Sequence, residues 1–278
     1  MPDGKEMLVR FWGVRGSIAS PGPNSVRYGG NTSCVEVRCG EQLIILDAGT
    51  GLRLLGKHLT RSGETVDTDL FCSHTHFDHI CGLPFFAPCY AVGNRIRIWG
   101  GHPAAQGDIR AVFRMILTPP LFPDVMSDFK AAIEFKDFAA GAVLSPRPEI
   151  SVKTGGLNHP GGATGYRVEW RGKSVAYITD TEHRSGGLDA NVLALVERAD
   201  LMIYDSTYTD EDYAANAGFG HSTWQEAVRI AQQASVKTLA LFHHDPSRTD
   251  VMLDVIAEAA ARARPGTVVA REGLILSL

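Results

Sequence analysis

Residues 73–79 constrain the fold and the chemistry of this chain more than any other segment. They read Ser-His-Thr-His-Phe-Asp-His, so that His74, His76, Asp78 and His79 fall within six positions. A short apolar stretch typical of a strand comes directly before them. Histidine is the commonest protein ligand for metal ions, and a carboxylate completes many such sites. We therefore expect this segment to supply most of a two-metal centre.

The organisation of the whole chain favours one α/β unit. Its 278 residues suit one large domain or two small ones. Strand-like and helix-like segments occur in both halves, and neither a low-complexity linker nor a repeated motif separates the halves. This pattern predicts a single domain over residues 1–278. No apolar run approaches the ~20 residues of a membrane helix, and the N-terminus lacks an apolar signal core. We expect a cytoplasmic protein without a membrane contact.

The cysteines and the net charge narrow the class of protein further. The five cysteines are odd in number and form no Cys-x-x-Cys pair. This favours reduced thiols over a disulfide framework or a zinc ribbon. The formal net charge of −4 offers no overall basic field that would attract nucleic acid.

Three more residues of metal-ligand type follow strand-like segments later in the chain. His159 comes after a strand and a short turn, Asp180 lies in a Thr-Asp-Thr segment, and His243 ends an apolar run. Ligands gather beyond the carboxyl ends of strands in α/β sheets, so these residues are expected to join the histidine segment around two cations. His243 and His244 compete for one ligand position. We favour His243 because it directly follows the strand.

The motifs and their order resemble the metallo-β-lactamase fold hydrolases over nearly the whole chain. The resemblance implies an αββα sandwich of two mixed β-sheets flanked by helices, with two divalent ions at one edge of the sheets. The residues that it implies for the first ion are His74, His76 and His159. Those that it implies for the second ion are Asp78, His79 and His243, with Asp180 bridging the two ions. Nitrogen and oxygen ligands favour zinc, with manganese or iron as alternatives.

A second resemblance narrows the branch of this family. An aspartate at the bridge, where some members have cysteine, is similar to the phosphodiesterase and ribonuclease Z-like branches and argues against a true β-lactamase. Residues 204–207 and 220–223 also resemble two loop motifs of the ribonuclease Z-like branch. This implies that Asp205 orients His221. A cationic imidazole can stabilise a phosphoryl oxygen or protonate a departing alkoxide.

Two further comparisons concern the substrate. Residues 11–17 and 31–34 resemble bacterial cyclic-nucleotide phosphodiesterase-like members of the same branch. The tRNA-processing enzymes of the branch carry a long inserted arm that grips tRNA, whereas the corresponding interval in this chain is only residues 160–179. Together with the net charge of −4, this short interval predicts that tRNA is not the partner of this protein.

The chain is thus predicted to be a dinuclear metal-dependent hydrolase with a small phosphodiester, such as a cyclic nucleotide, as its favoured substrate. A hydroxide that bridges the two ions would attack phosphorus. Asp78 would orient or deprotonate the attacking water, and His221 would assist the leaving oxygen. Three alternatives stay open: hydrolysis of a carboxylic ester, lactone or lactam, processing of RNA 3′ ends, and a non-catalytic regulatory protein that binds metal.

Several other residues have both a functional and a plain structural interpretation. Asp47 either accepts a hydrogen bond from a ligand histidine or caps a helix, with equal weight. Arg15, Arg53 and Arg248 are candidates for binding phosphate, but solvated surface arginine is favoured for each. Residues 121–123 either line a pocket for part of the substrate or pack against the core or a second copy. A homodimer is therefore one expected assembly.

Overall fold

Two mixed β-sheets of seven strands each form the centre of the molecule, and helices cover their outer faces. The structure is a computed structural model that describes residues 6–61, 63, 65–101, 108–183 and 186–278. The predicted αββα architecture is confirmed by this arrangement. The assignment of the whole chain to a single domain stays a prediction.

Strands predominate in the first part of the described chain, and strands and helices alternate toward its end. The strands are β1 (Met7–Gly13), β2 (Cys34–Cys39), β3 (Gln42–Leu46), β4 (Asp67–Cys72), β5 (Arg95–Gly100), β6 (Ala132–Asp137), β7 (Val143–Arg147), β8 (Ile150–Leu157), β9 (Ala163–Trp170), β10 (Lys173–Ile178), β11 (Leu201–Asp205), β12 (Thr238–Phe242), β13 (Thr267–Val269) and β14 (Ile275–Ser277). The helices are α1 (Gly51–Arg61), α2 (Phe77–Ile80), α3 (Ile109–Ile116), α4 (Ala190–Val196), α5 (Asp210–Asn216), α6 (Trp224–Gln233) and α7 (Asp250–Ala263).

Each sheet is antiparallel on one side and parallel on the other. The first sheet has the order β14-β1-β2-β3-β4-β5-β6, and its strands run parallel from β3 to β6. The second has the order β13-β12-β11-β10-β9-β8-β7, and its strands run parallel from β10 to β13. The loops that leave the carboxyl ends of parallel strands lie at one edge of a sheet, where ligands are usually bound.

The apolar pattern of the strands follows from the layers that cover them. Strand β12 is a continuous apolar run because both of its faces are covered. Leu239 and Leu241 pack into a core beneath the helices α4, α6 and α7, whereas Ala240 and Phe242 pack into the core between the two sheets. Half-buried strands alternate instead, as in β8, where Ile150 and Val152 point into the core between the sheets.

Three elements of the structure are not evident from the local apolar pattern. Helix α2 ends at Ile80, and a 3-10 turn at Leu83–Phe85 follows, with Pro84 inside it. Helix α5 was not predicted because it has no apolar stripe; Thr209 and Asp212 hold its start through a reciprocal capping box. Strand β7 was not predicted because it contains Pro146, and it forms the edge of its sheet.

None of the described helices combines the length and the apolar composition that a membrane crossing requires.

Candidate metal centre

Buried histidines and carboxylates converge where strands of both sheets end. The segment after β4 carries His74 and His79, while Asp180 and His243 follow β10 and β12. Asp180 and His243 have positive φ angles of 52° and 59°. Asp47, which follows β3, has a positive φ of 62°. Residues other than glycine adopt this left-handed conformation at a cost, and such residues cluster at functional sites. These turns direct polar side chains back over the edge of the sheets.

One group of side chains consists of His74, His76 and His159, whose ligand atoms all lie within 4.8 Å of one another. His159 Nε2 lies 3.0 Å from His76 Nδ1. His74 Nε2 and His159 Nε2 are each 3.8 Å from Asp180 Oδ1. The structure therefore brings together the three histidines predicted for the first ion.

A second group consists of Asp78, His79 and His243, again within 4.8 Å of one another. His79 Nε2 lies 3.1 Å from Asp78 Oδ2 and 3.2 Å from Asp180 Oδ2. His243 Nε2 lies 3.3 Å from Asp180 Oδ2 and 3.3 Å from His79 Nε2. Asp180 thus turns one carboxylate oxygen to each group, which is the arrangement expected of a bridging ligand.

Three histidines of the cluster engage Nδ1 in hydrogen bonds outside its centre. His79 Nδ1 donates to Asp47 Oδ2 at 2.8 Å, and His159 Nδ1 donates to the Gly220 carbonyl at 2.8 Å. His74 Nδ1 lies 3.0 Å from the Ser73 hydroxyl oxygen, which can accept a hydrogen bond from it. With Nδ1 engaged in this way, Nε2 of each ring faces the cluster, which is the orientation that metal-bound imidazoles usually have.

Two observations show that the cluster suits cations. In the described part of the chain, the buried atoms His74 Nε2 and Asp78 Oδ2 have no hydrogen-bond partner, and such orphaned groups are costly. Burial lowers the pKa of His79, but Asp180, Asp78 and Asp47 raise it well above its ordinary value, so this position attracts positive charge. Burial and the neighbouring His79 lower the pKa of His74, which keeps that ring neutral. The donor set fits two divalent ions.

Asp47 supports the cluster from below. Besides His79 it accepts hydrogen bonds from the backbone N–H of Ser73 at 2.6 Å, from the Ser73 hydroxyl at 2.8 Å and from the Tyr177 hydroxyl at 2.7 Å. Asp47 is fully buried. Of the two interpretations of this residue, the structure shows the hydrogen bond to a histidine of the cluster.

His221 and Asp205 lie at the side of the same cluster. His221 Nδ1 is 2.9 Å from Asp205 Oδ2 and 3.8 Å from Asp180 Oδ1. Asp205 Oδ1 accepts from the Thr207 hydroxyl at 2.7 Å, and that hydroxyl oxygen lies 3.1 Å from His243 Nδ1. Burial lowers the pKa of His221, but Asp205 and then Asp180 outweigh it, and the pKa is raised to about 9. The predicted pair is therefore in contact, with a carboxylate that favours the imidazolium.

Glu182 holds a loop beside the cluster, a role that the sequence did not reveal. Its carboxylate accepts hydrogen bonds from the backbone N–H groups of Gly218 and Gly220, at 2.9 and 2.8 Å. Gly220 in turn accepts the hydrogen bond of His159 described above. The only signal available in the sequence was the position of Glu182, two residues after Asp180.

His244 and the arginines lie outside the cluster. His244 Nε2 donates to the Ala270 carbonyl at 2.8 Å, and burial lowers its pKa to about 3. Arg15 is fully buried and donates to the carbonyls of Gly29 and Arg248. The prediction of a surface arginine at position 15 is therefore wrong: this side chain ties together loops that are far apart in the sequence.

The family comparison agrees with this geometry. Residues 42–244 match the family described as "Beta-lactamase superfamily domain". The matched range covers most of the chain and contains every residue of the cluster. The chain belongs to this superfamily. The predicted metallo-β-lactamase fold and the predicted class of metal-dependent hydrolase are confirmed at this level.

Relatives of this superfamily member include proteins named Ribonuclease Z. The one from Haloarcula marismortui is 24% identical over an alignment of 314 positions, gaps included, which takes in 96% of this chain and 94% of the relative. The one from Gemmatimonas aurantiaca is 25% identical over an alignment of 327 positions, gaps included, which takes in 98% of this chain and 96% of the relative.

Solved structures show the same fold over nearly the whole chain. The metallo-beta-lactamase fold protein YhfI from Bacillus subtilis has a TM-score of 0.74 and 21% identity, and covers 99% of this chain and 100% of its own. Human tRNase Z, short form, has a TM-score of 0.67 and 20% identity, and the match covers 97% of this chain and 98% of that one. Yeast PDE1 has a TM-score of 0.68 and 16% identity, and the match covers 98% of this chain and 99% of that one. At these identities the similarity concerns the fold alone.

The prediction that excluded tRNA as a partner is wrong. The relatives that match nearly end to end are named Ribonuclease Z, and one solved structure of the same fold is a tRNase Z. The net charge of a chain says little about the field in one cleft. The short interval between His159 and Asp180 likewise says nothing about RNA contacts made by other segments.

Proposed function

We propose that this protein is a dinuclear metal-dependent phosphodiesterase. The position of the Asp205–His221 pair carries the proposal, because His221 lies within 3.8 Å of the carboxylate of Asp180 that faces both groups of ligands. A cationic imidazole at the edge of a two-metal cluster is placed to meet an oxygen of a bound phosphate. The metal ligands alone do not choose between phosphorus and a carbonyl carbon, so this pair is the feature that favours a phosphodiester.

The proposal gives each part of the cluster a role. The residues proposed to hold two divalent ions, with zinc favoured, are His74, His76, Asp78, His79, His159, Asp180 and His243. Such ions activate water and offset the charge on phosphate oxygens. His221, with Nδ1 held by Asp205, has Nε2 free to donate a proton to the departing oxygen. Asp78, besides its proposed role as a ligand, is proposed to orient or deprotonate the attacking water.

The favoured substrate is a small phosphodiester such as a cyclic nucleotide. Processing of RNA 3′ ends, including those of tRNA precursors, is a second candidate. It is favoured by the names of the relatives, which align with nearly the whole chain. Both reactions break a phosphodiester bond, so the same cluster serves either.

A substrate panel tests the proposal. The protein is stripped of metal, reconstituted with zinc, and assayed with bis(p-nitrophenyl) phosphate, cyclic nucleotides, a tRNA precursor with a 3′ extension, and a lactone. We expect zinc-dependent hydrolysis of bis(p-nitrophenyl) phosphate and of at least one cyclic nucleotide. Cleavage of the RNA without cyclic-nucleotide turnover would favour the second candidate. Hydrolysis of the lactone without that of any phosphodiester would sink the proposal.

A further inference from the structure

A cleft with aromatic walls opens beside the metal centre. Its volume is about 450 Å³, within the range of small-molecule sites. Phe77, Phe85 and Phe122 line it, and the rings of Phe85 and Phe122 meet edge to face with 5.7 Å between their centroids. Phe77 is 70% exposed and Phe85 is 53% exposed. These two rings therefore present exposed aromatic surface at the cleft.

The cleft and the metal cluster share the helix α2. Phe77 and Cys81 line the cleft and are one helical turn apart. Between them, Asp78 and His79 direct their side chains into the cluster. Because α2 has only four residues, the cleft and the cluster lie on neighbouring faces of one short helix.

The rim of the cleft is polar on one side. Asn31, Thr50 and Arg53 contribute to it. Arg53 lies near the start of α1 and is exposed. Its backbone N–H donates to the Thr50 carbonyl at 3.3 Å, whereas its guanidinium has neither a hydrogen bond nor an ion pair with any other residue that the structure describes. An uncompensated cation at the mouth of an apolar cleft favours a ligand that has both an anionic and an apolar part.

We propose that this cleft binds a flat aromatic group of the substrate, such as a nucleobase or an aryl ring, while the phosphodiester lies at the metal cluster. The inference rests on the proposed phosphodiesterase activity and specifies which substrates it favours. Aromatic rings stack against or meet other rings edge to face, and every nucleobase has a face suited to this contact. Arg53 lies where it can meet the negative charge of the substrate.

Two synthetic diesters with the same leaving group test the proposal. Bis(p-nitrophenyl) phosphate keeps an aryl ring after hydrolysis, whereas methyl p-nitrophenyl phosphate keeps only a methyl group. The measured quantity is the ratio of their kcat/KM values. We expect Phe122→Ala and Phe85→Ala each to lower this ratio roughly three- to tenfold. The difference in intrinsic reactivity between the diesters is the same for every variant, so it cancels in the comparison with the wild type.

Phe219→Ala is the matched control, because Phe219 is 64% exposed but lies next to Gly220 and His221, outside the cleft. Its ratio should equal that of the wild type. A ratio that falls in Phe219→Ala and not in the cleft variants would place the aromatic group elsewhere and overturn the proposal. An unchanged ratio in all three variants would overturn it as well.

A binding measurement tests the cleft independently of catalytic activity. Calorimetry of the zinc-loaded wild type should show tighter binding of adenosine 5′-monophosphate than of ribose 5-phosphate, and Phe122→Ala should remove most of the difference. If the protein hydrolyses no phosphodiester but retains this pattern, the proposed function fails and the cleft stands. If the two ligands bind equally, the cleft proposal fails whatever the activity.

A separate observation, the hydrogen bonding of Glu182, supports a second proposal. Its carboxylate holds the backbone N–H groups of Gly218 and Gly220, and the Gly220 carbonyl accepts from His159. Gly220 has a φ of 86°, and a side chain there would come within 2.3 Å of His159 Nδ1. We propose that Glu182 is a positioning residue, which sets the direction of His159 through this loop and so the affinity of the first metal ion.

Zinc titration against a competing chelator tests this role, which depends on the proposed metal centre. In Glu182→Gln the amide must turn its N–H₂ toward one of the two donors. We expect one of the two zinc ions to bind roughly 10- to 100-fold more weakly, while the other keeps its affinity. The thermal midpoint of the zinc-free protein should stay the same.

Tyr213→Phe is the matched variant, because it removes only the hydroxyl that donates to Glu182 Oε1 at 3.1 Å and leaves both glycine contacts in place. Its zinc affinities should match those of the wild type. Equal weakening of both ions in Glu182→Gln, together with a lower midpoint of the zinc-free protein, would indicate a general structural role and overturn the proposal. A wild type that binds no zinc would overturn the metal centre itself.

Discussion

At the scale of single residues, Asp47 illustrates how a buried carboxylate prepares a histidine for a metal ion. It receives hydrogen bonds from His79, Ser73 and Tyr177. In Asp47→Asn the amide N–H₂ would face at least one of these donors. We expect the affinity for zinc to fall roughly 10- to 100-fold, measured by competition with a chelator. Among the described residues, the hydrogen bonds of the Asp245 side chain are with the exposed Ser247, and Asp245→Asn should bind zinc like the wild type.

His221 is expected to matter most for substrates with a poor leaving group. Loss of a general acid typically lowers the rate by roughly 10²–10⁴-fold. In His221→Ala we expect a loss of this size in kcat for an alkyl leaving group, but a smaller loss for p-nitrophenolate, which departs without a proton. His58→Ala, which alters an exposed histidine beside Trp12, is the control. Equal losses for both substrates would contradict the assignment of a proton donor.

At the scale of the elements, an ionic network joins the two sheets far from the metal centre. Asp69 on β4 is fully buried and accepts from Arg97 on β5 at 2.8 Å, from Trp99 at 2.8 Å and from Arg147 on β7 at 2.5 Å. Arg147 belongs to the second sheet and the other residues to the first. The network therefore ties the edge strand β7 to the opposite sheet.

The change Asp69→Ala should destabilise the protein strongly. The change removes the buried acceptor of Arg97, Arg147 and Trp99. Both arginines keep Asp67 as a partner, so we place the cost at the lower end of the range for a broken buried ion pair, about 3 kcal/mol. We expect a decrease of this size in the free energy of unfolding, measured by denaturant titration. The exposed pair of Arg171 and Glu149, 2.8 Å apart, provides the comparison: Glu149→Ala should cost less than about 1 kcal/mol. Similar losses in the two variants would contradict the structural role of Asp69.

The helices and strands also differ in whether the sequence alone predicts them. Strand β12 and the helices α6 and α7 were predictable because their apolar residues are continuous or periodic. Helix α5 and strand β7 were not, since contacts at a helix start and at a sheet edge stabilise them more than apolar spacing does. In β7 those contacts include Arg147, whose partners lie about eighty residues earlier in the chain.

At the scale of the whole molecule, metal ions are expected to stabilise the fold. Buried ligands of the cluster come from both sheets, so the metal-binding geometry exists only in the folded chain. Zinc at 100 times its dissociation constant adds about 2.7 kcal/mol per site, which corresponds to roughly 5–10 °C in a protein of this size. Thermal unfolding of the metal-free and zinc-loaded protein measures the shift.

Asp180→Ala should show little of this zinc-dependent shift, because Asp180 faces both groups of ligands. A zinc-loaded wild type that unfolds at the temperature of the metal-free protein would contradict a two-metal centre of this kind.

The sequence by itself determined which residues come together at the metal cluster. Each stands after a predicted strand or in the dense segment 73–79, and ligands in folds of this class gather beyond the carboxyl ends of the strands. The choice of His243 over His244 followed from the same rule. Local pattern and topology were sufficient because they fix where the backbone ends each strand.

Only the tertiary structure decided what surrounds that cluster. The hydrogen bonds of Asp47, the hold of Glu182 on the loop at Gly220, and the burial of Arg15 join residues far apart in sequence. The aromatic cleft beside α2 likewise draws its walls from several separate segments. No spacing or period in a sequence encodes such contacts, since they depend on how two sheets and their loops pack against one another.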